Sequence, residues 1–156
     1  MTGRYASATD VPTSRSRDEI ERILSRYGAS HFAYGTDPDG ATIGFAANGK
    51  AVRFYLPLPR RDWEQFLLTP TGRDRSETAA RQAWEQACRQ SWRALALVVK
   101  AKLEAVAAGI TTFEDEFLAH MILPDGSTFG EWARPQLDAV YANGGRTMPA
   151  LLPGGG

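Results

Sequence analysis

From Ser76 to Ala108 the chain contains neither proline nor glycine and is rich in Ala, Gln, Glu, Arg and Leu. Such residues lose little side-chain freedom in a helix, and nothing in the stretch removes a backbone donor, so it reads as one long helix stopped by Gly109. A helix of this length spans a small domain, and the remainder of the 156 residues must be arranged around it. At about 100° per residue, Trp84, Cys88, Ser91, Leu95, Val98, Val99 and Val106 fall on one side, which is expected to pack. Arg89, Arg93 and Lys100 lie within about 40° of one another on another side, which is expected to present charge.

The residues ahead of this helix change period twice. Residues 1–13 carry Gly3, Ser7, Thr9, Asp10 and Pro12 without an apolar period and are expected to form a flexible lead-in. Ser16 followed by Glu19 is a capping-box pattern, and Ile20, Ile23, Leu24 and Tyr27 then recur at helical spacing before Gly28. From Ser30 the period becomes two. His31–Tyr34, Ala41–Ala46 and Ala51–Leu56 read as strands joined by Asp37-Pro38-Asp39-Gly40 and by Asn48-Gly49, giving an antiparallel three-stranded sheet. Val52, Phe54 and Leu56 alternate with Ala51, Arg53 and Tyr55, so Arg53 and Tyr55 are expected to meet solvent or a ligand.

Residues 60–75 hold Arg60, Arg61, Arg73 and Arg75 around Trp63, Phe66 and Thr69-Pro70-Thr71-Gly72, with no sustained period. They read as a basic loop: either a phosphate- and base-contacting segment, or a solvated loop pinned to the core by Trp63 and Phe66. Beyond the long helix, Thr112 caps a start at Phe113 with acidic Glu114, Asp115 and Glu116 in the first turn. Thr128 with Glu131 marks another capped start, and Trp132, Leu137, Val140 and Tyr141 continue a helical pattern that Pro135 is expected to bend or restart. Residues 148–156 read as a flexible tail. The expected architecture is therefore α+β: a helix, a three-stranded antiparallel sheet, a long central helix and two shorter C-terminal helices, in one domain over residues 14–147.

Charge is balanced overall and polarised along the chain. Residues 1–102 hold 16 basic and 11 acidic side chains, a balance of +5, and residues 103–156 hold 2 and 7, a balance of −5. Fifteen of the eighteen cations are arginine, the residue suited to bidentate contacts with phosphate or carboxylate. Two readings stay open: a phosphate-binding face, or two lobes that neutralise each other. Lys102 falls among Trp84, Ser91, Leu95 and Val106 and needs a partner if buried; Glu114, Asp115 or Glu116 can supply one, locking two helices, or the side chain can snorkel to the surface.

Other chemistries find little support. Cys88 is the only cysteine, which excludes an intramolecular disulfide and any one-chain zinc site needing two thiolates, and the spacing of His31, His120 and Cys88 matches no metal motif. There is no Walker loop, nucleophile elbow or dinucleotide fingerprint, so no catalytic residue, metal or cofactor is assigned. The longest apolar run, Ala94–Val99, is too short for a membrane span, and no secretory signal is apparent, which points to the cytoplasm.

Through Arg17-Asp18-Glu19-Ile20-Glu21-Arg22, Trp92-Arg93-Ala94-Leu95, Lys100-Ala101-Lys102-Leu103-Glu104-Ala105-Val106 and Leu123-Pro124-Asp125-Gly126-Ser127, the chain resembles a family of uncharacterised phage and prophage proteins over about residues 11–153. That resemblance implies a product of the bacterial host cytoplasm and supplies no catalytic residues. The order helix, three strands, helix also resembles the double-stranded RNA-binding domain, from which the long helix and the missing lysine-rich motif depart. The leading expectation is a non-enzymatic accessory protein that binds DNA or RNA through Arg53, Tyr55, Arg60, Arg61, Trp63, Arg73, Arg75, Arg89 and Arg93. The alternatives are a protein-binding inhibitor of a host defence complex, using Trp63, Phe66 and Leu151-Leu152, and a small nucleotide-binding protein or enzyme using Lys102 and the acidic run.

Overall fold

The computed structural model describes residues 2–143 and 149–154, and for residues 2–13 the backbone alone. In chain order the elements are α1 (Thr2–Arg26), β1 (Ser30–Asp37), β2 (Gly40–Ala47), β3 (Lys50–Pro57), α2 (Glu64–Leu67), α3 (Glu77–Ala107), α4 (Phe113–Phe117), a 3₁₀ turn (Leu118–His120) and α5 (Phe129–Asn143). The three strands form one antiparallel sheet in the order β1-β2-β3, so the α+β architecture expected from the sequence is the one observed.

The long helix has the ends that its sequence specifies. The Ser76 side chain accepts a hydrogen bond from the Ala79 amide, and at the other end Ile110 N donates to Ala105 O and Gly109 N to Val106 O, the paired bonds of a Schellman stop. The same pair closes α1, from Ala29 N to Leu24 O and from Gly28 N to Ser25 O. Its start differs from expectation. The helix runs back to Thr2 across the residues read as a loose lead-in, because extending a helix already pinned by buried Ile20 and Leu24 costs less than nucleating one. At the other terminus, residues 149–154 form neither helix nor strand and Leu151 and Leu152 are exposed. Met148, Gly155 and Gly156 of the expected tail lie outside the described residues.

Turn chemistry sets the sheet register. Asn48 and Gly49 both take the left-handed conformation that a two-residue hairpin requires, pairing Ala47 with Lys50. In the first hairpin the Asp39 amide donates to the Asp37 carboxylate at 2.7 Å. A Cβ on Gly40 would stand 2.4 Å from the Leu56 carbonyl and 2.7 Å from the Tyr55 ring, so only glycine lets β2 leave the turn beneath β3. Near the start of β1 the register shifts between Ser30 and Ala33, with His31 at φ 57°, which makes His31 a bulge residue bonded to the Ser30 hydroxyl.

Ala41, Ile43, Phe45, Val52 and Phe54 line the inner face of the sheet and pack with Ile20 and Leu24 of α1 and Trp92, Leu95, Ala96, Val99 and Leu103 of α3. The packed side of α3 is thus rotated from the expected one. Trp92, Ala96 and Leu103 are inside, while Val98 stays 46% exposed, because α3 is gripped between α1 and the sheet rather than by a single neighbour. Phe113, Phe117 and Met121 close the core from the C-terminal side, and Met121 bridges to Val52 along the free edge of β3. The 60–75 segment, read as a loop without its own structure, contains α2 and a bridge between Leu68 and Asp74, with Phe66 buried.

Gly40→Ala is expected to destabilise the fold by about 1–3 kcal/mol, since the added methyl meets backbone rather than a flexible side chain. Urea denaturation of the purified variant measures it, and an unchanged midpoint would contradict the close approach described.

Candidate interaction surface

The arginines proposed as a phosphate-binding set are placed on two sides of the sheet. Arg53 and Tyr55 alternate with the buried Val52 and Phe54 and so project from the outer face, away from α3. Arg89 and Arg93 belong to α3, on the inner side. Arg60, Arg61, Trp63, Arg73 and Arg75 lie on the segment that runs from the end of β3 to the start of α3.

Most of these side chains also have internal partners. Arg53 Nη2 donates to the Gly126 carbonyl at 2.7 Å and lies 4.0 Å from the Glu131 carboxylate, which ties β3 to the turn before α5. Arg60 is held between Asp39 at 3.0 Å and Asp62 at 3.4 Å, and these two carboxylates, Asp62 foremost, raise its pKa. The Arg61 guanidinium sits over the Trp84 ring at 5.5 Å, while the Trp84 indole donates to the Pro59 carbonyl. Arg75 donates to the Leu68 carbonyl, and Arg89 forks onto the Gln86 amide oxygen. Only the guanidiniums of Arg73 and Arg93 are exposed with no partner among the described residues. Tyr55 is exposed but donates to Asp37, and Trp63 is 46% exposed with one face stacked on Phe66. Sequence spacing reveals little of this pairing, since every partner except Asp62, Phe66, Leu68 and Gln86 is remote in the chain.

Lys102 follows the ion-pair reading. Its ammonium donates to the Glu116 carboxylate at 3.1 Å and to the Glu116 carbonyl at 3.2 Å, and lies 5.8 Å from the Phe117 ring centroid. Both partners are about three-quarters buried, so the pair fastens α4 to α3. His120 stacks on Phe54 at 4.1 Å; burial, and then the Lys102 charge, hold its pKa below the ordinary value. The Cys88 thiol is buried and pushed up to about 11, chiefly by that burial, which keeps it protonated and unreactive at neutral pH. Among the described residues no group of three or more His, Cys, Asp or Glu is placed to hold a metal ion, and no helix is long and apolar enough to cross a membrane.

A surface missed at the sequence level stands out instead. The expected capping box at α5 forms in both directions, with Thr128 N donating to the Glu131 carboxylate and Glu131 N to the Thr128 hydroxyl. The helix then runs through Pro135 without restarting. It contains no buried residue: Trp132 is 52% exposed, Leu137 56%, Val140 64% and Tyr141 59%. Only its first turn is supported, where Phe129, Gly130 and Ala133 are partly covered by the 3₁₀ turn. A Cβ on Gly130 would meet the Ala119 carbonyl at 2.9 Å, which fixes this close approach. An open cleft of about 460 Å³ separates α5 from α3, lined by Lys102, Glu116 and His120 on one side and by Phe129, Ala133 and Leu137 on the other. The helical period of Trp132, Leu137, Val140 and Tyr141 gives the helix but not its lack of a neighbour.

Lys102→Ala is expected to cost about 1–3 kcal/mol by leaving the Glu116 carboxylate without its cation, and Lys102→Met less, because its stem still packs beside Phe117. Thermal unfolding of both variants checks this; equal melting temperatures for Lys102→Ala and the parent would remove the structural role.

No family model, curated protein or solved structure matches the chain, so the resemblance to phage and prophage proteins rests on the quoted residues alone.

Proposed function

We propose that the protein is a protein-binding module whose working surface is the uncovered apolar side of α5. The observation that carries this reading is a fifteen-residue helix with no buried residue whose largest side chains are apolar and exposed. Amphipathic helices of globular domains ordinarily gain their stability by burying an apolar stripe, and Leu137, Val140 and Tyr141, within about 100° of one another around α5, leave theirs exposed, as interaction sites do. Under the phage resemblance, a protein complex of the bacterial host is the corresponding partner class. A photo-crosslinking residue at Val140 or Tyr141 is expected to yield a discrete adduct in a bacterial host, and the same residue at exposed Glu19 none. Absence of an α5-specific adduct would overturn the reading.

A second reading, nucleic-acid binding, is supported by a narrower set than the sequence suggested: Arg73 and Arg93, which have no described partner, and the exposed face of Trp63. Two phosphate contacts give a slope of about −2 in log K against log salt on duplex DNA, where seven would give about −6. Fluorescence anisotropy across a salt series measures the slope. A steep slope retained in the Arg73→Ala, Arg93→Ala double variant would show that the internally paired arginines rebind to phosphate, and no binding at low salt would remove this reading.

A further inference from the structure

His120 ends the 3₁₀ turn, and that turn is the element on which α5 packs. The contacts on either side of it are close. The Met121 amide donates to the Leu118 carbonyl and Met121 bridges to Val52, while the Phe129 amide donates back to the Met121 carbonyl at 2.8 Å. The Ala119 carbonyl occupies space that a Cβ on Gly130 would need. A displacement of this turn therefore reaches the start of α5 before it reaches the sheet, whose strands are also paired with one another.

The His120 imidazole is the group in this joint whose ordinary pKa lies near neutrality. It is half-buried, stacks on Phe54 at 4.1 Å with 27° between the rings, and donates to the Arg53 carbonyl, so its other nitrogen is the bare acceptor that takes a proton in acid. Charged groups from three elements share the cleft with it. Helix α3 brings the Lys102 ammonium; α4 brings Asp115 and Glu116, the latter already bound to that ammonium at 3.1 Å; α5 brings Arg134. Strand β3 presents a carbonyl rather than a charge, because the Arg53 guanidinium is taken up by Gly126 and Glu131.

Burial first, and then the Lys102 charge, make a proton less welcome on this ring than on an exposed one. The bond to the Arg53 carbonyl opposes them in part, and so does the Phe54 face, which attracts a cation. The net direction has a structural consequence, since a ring that resists protonation where it sits accepts the proton readily once it moves out into water.

We infer that His120 is an acid-operated catch: while neutral it seats the 3₁₀ turn between β3 and α5, and on taking a proton it unseats that turn and loosens α5 ahead of the rest of the fold. Linkage sets the sign. Above about pH 6.5 the ring is neutral whether seated or released, and the seat is at full strength. As the pH falls below that value the released form is protonated first, and the loss levels off once the seated ring is protonated too. The catch belongs to the joint itself and does not depend on what α5 binds.

NMR of the purified full chain between about pH 7.5 and 5.5, where exposed carboxylates stay ionised, tests it. The His120 ring is expected to titrate with a midpoint below the ordinary histidine value of about 6.5. Over the same range the protection of the Phe129 and Trp132 amides, corrected for the intrinsic effect of pH on exchange, is expected to fall several-fold while that of β2 holds. His120→Gln, which is neutral at every pH and still able to donate, is expected to keep the fold at neutral pH and lose the response. A ring that titrates at or above about 6.5, or protection at Phe129 and Trp132 that stays constant, overturns the inference. So does a fall that persists in His120→Gln or that β2 shares equally.

Discussion

The burial of Phe117 is the contact on which the rest of the C-terminal half depends. Its ring is fully buried, packed edge-on to Phe45 and Phe54 of the sheet at about 6 Å and stacked on Phe113 at 4.7 Å. The neighbouring Glu116 carboxylate meets Lys102 of α3. A five-residue helix has too few hydrogen bonds to persist alone, so α4 exists because both of its ends are held: Thr112 caps the first turn and the aromatic cluster fixes the last. Burial of several aromatic rings contributes a few kcal/mol each, more than the ion pair beside them, whose partners keep about a quarter of their side-chain surface in solvent. The apolar contact sets the position, and Lys102–Glu116 sets the orientation.

The same anchor explains why α5 is uncovered. Met121 bridges to Val52 and Ile122 N donates to Ala51 O, so the chain leaves the anchor along the edge of β3 and turns at Leu123–Ser127. Arg53 then holds that turn through the Gly126 carbonyl. These contacts fix where α5 starts and the direction in which it leaves. Beyond Ala133 the inner sides of α1 and α3 are already spent on the sheet and on each other, and no further element of the described chain is available to receive Leu137, Val140 and Tyr141.

What the sequence discloses follows from how local each determinant is. Both hairpins are legible because Asn48-Gly49 and Asp37-Pro38-Asp39-Gly40 specify their turns within a few residues, and α3 is legible end to end because Ser76 and Gly109 act on adjacent backbone groups. The Lys102 partner is legible for a different reason: a cation on an apolar face needs a carboxylate, and Glu114 to Glu116 are the acids that a short turn returns to it. The packing side of α3 is not legible, since it depends on where α1 and the sheet each press. Nor is the state of the arginines, because Arg53, Arg60 and Arg61 find Gly126, Asp39 and Trp84 only after folding.

That last point bears on what an arginine-rich composition means. A guanidinium acts at long range only when its charge is not already compensated, and Arg60 has two carboxylates within 3.4 Å while Arg53 spends its donors on a carbonyl. These contacts are structural: they hold the first hairpin to the segment after β3, and β3 to the turn before α5. The polarity of +5 and −5 along the sequence is therefore only partly neutralised at such contacts: Arg22, Arg26, Lys50, Arg73, Arg93, Lys100 and Arg134 stay exposed without a partner among the described residues, and so do Glu19, Asp74, Glu104 and Asp138. Unpaired charge of both signs is thus interspersed over the described surface, and an arginine-rich composition does not by itself make one basic face, because a field that steers a polyanion needs cations of one sign gathered together.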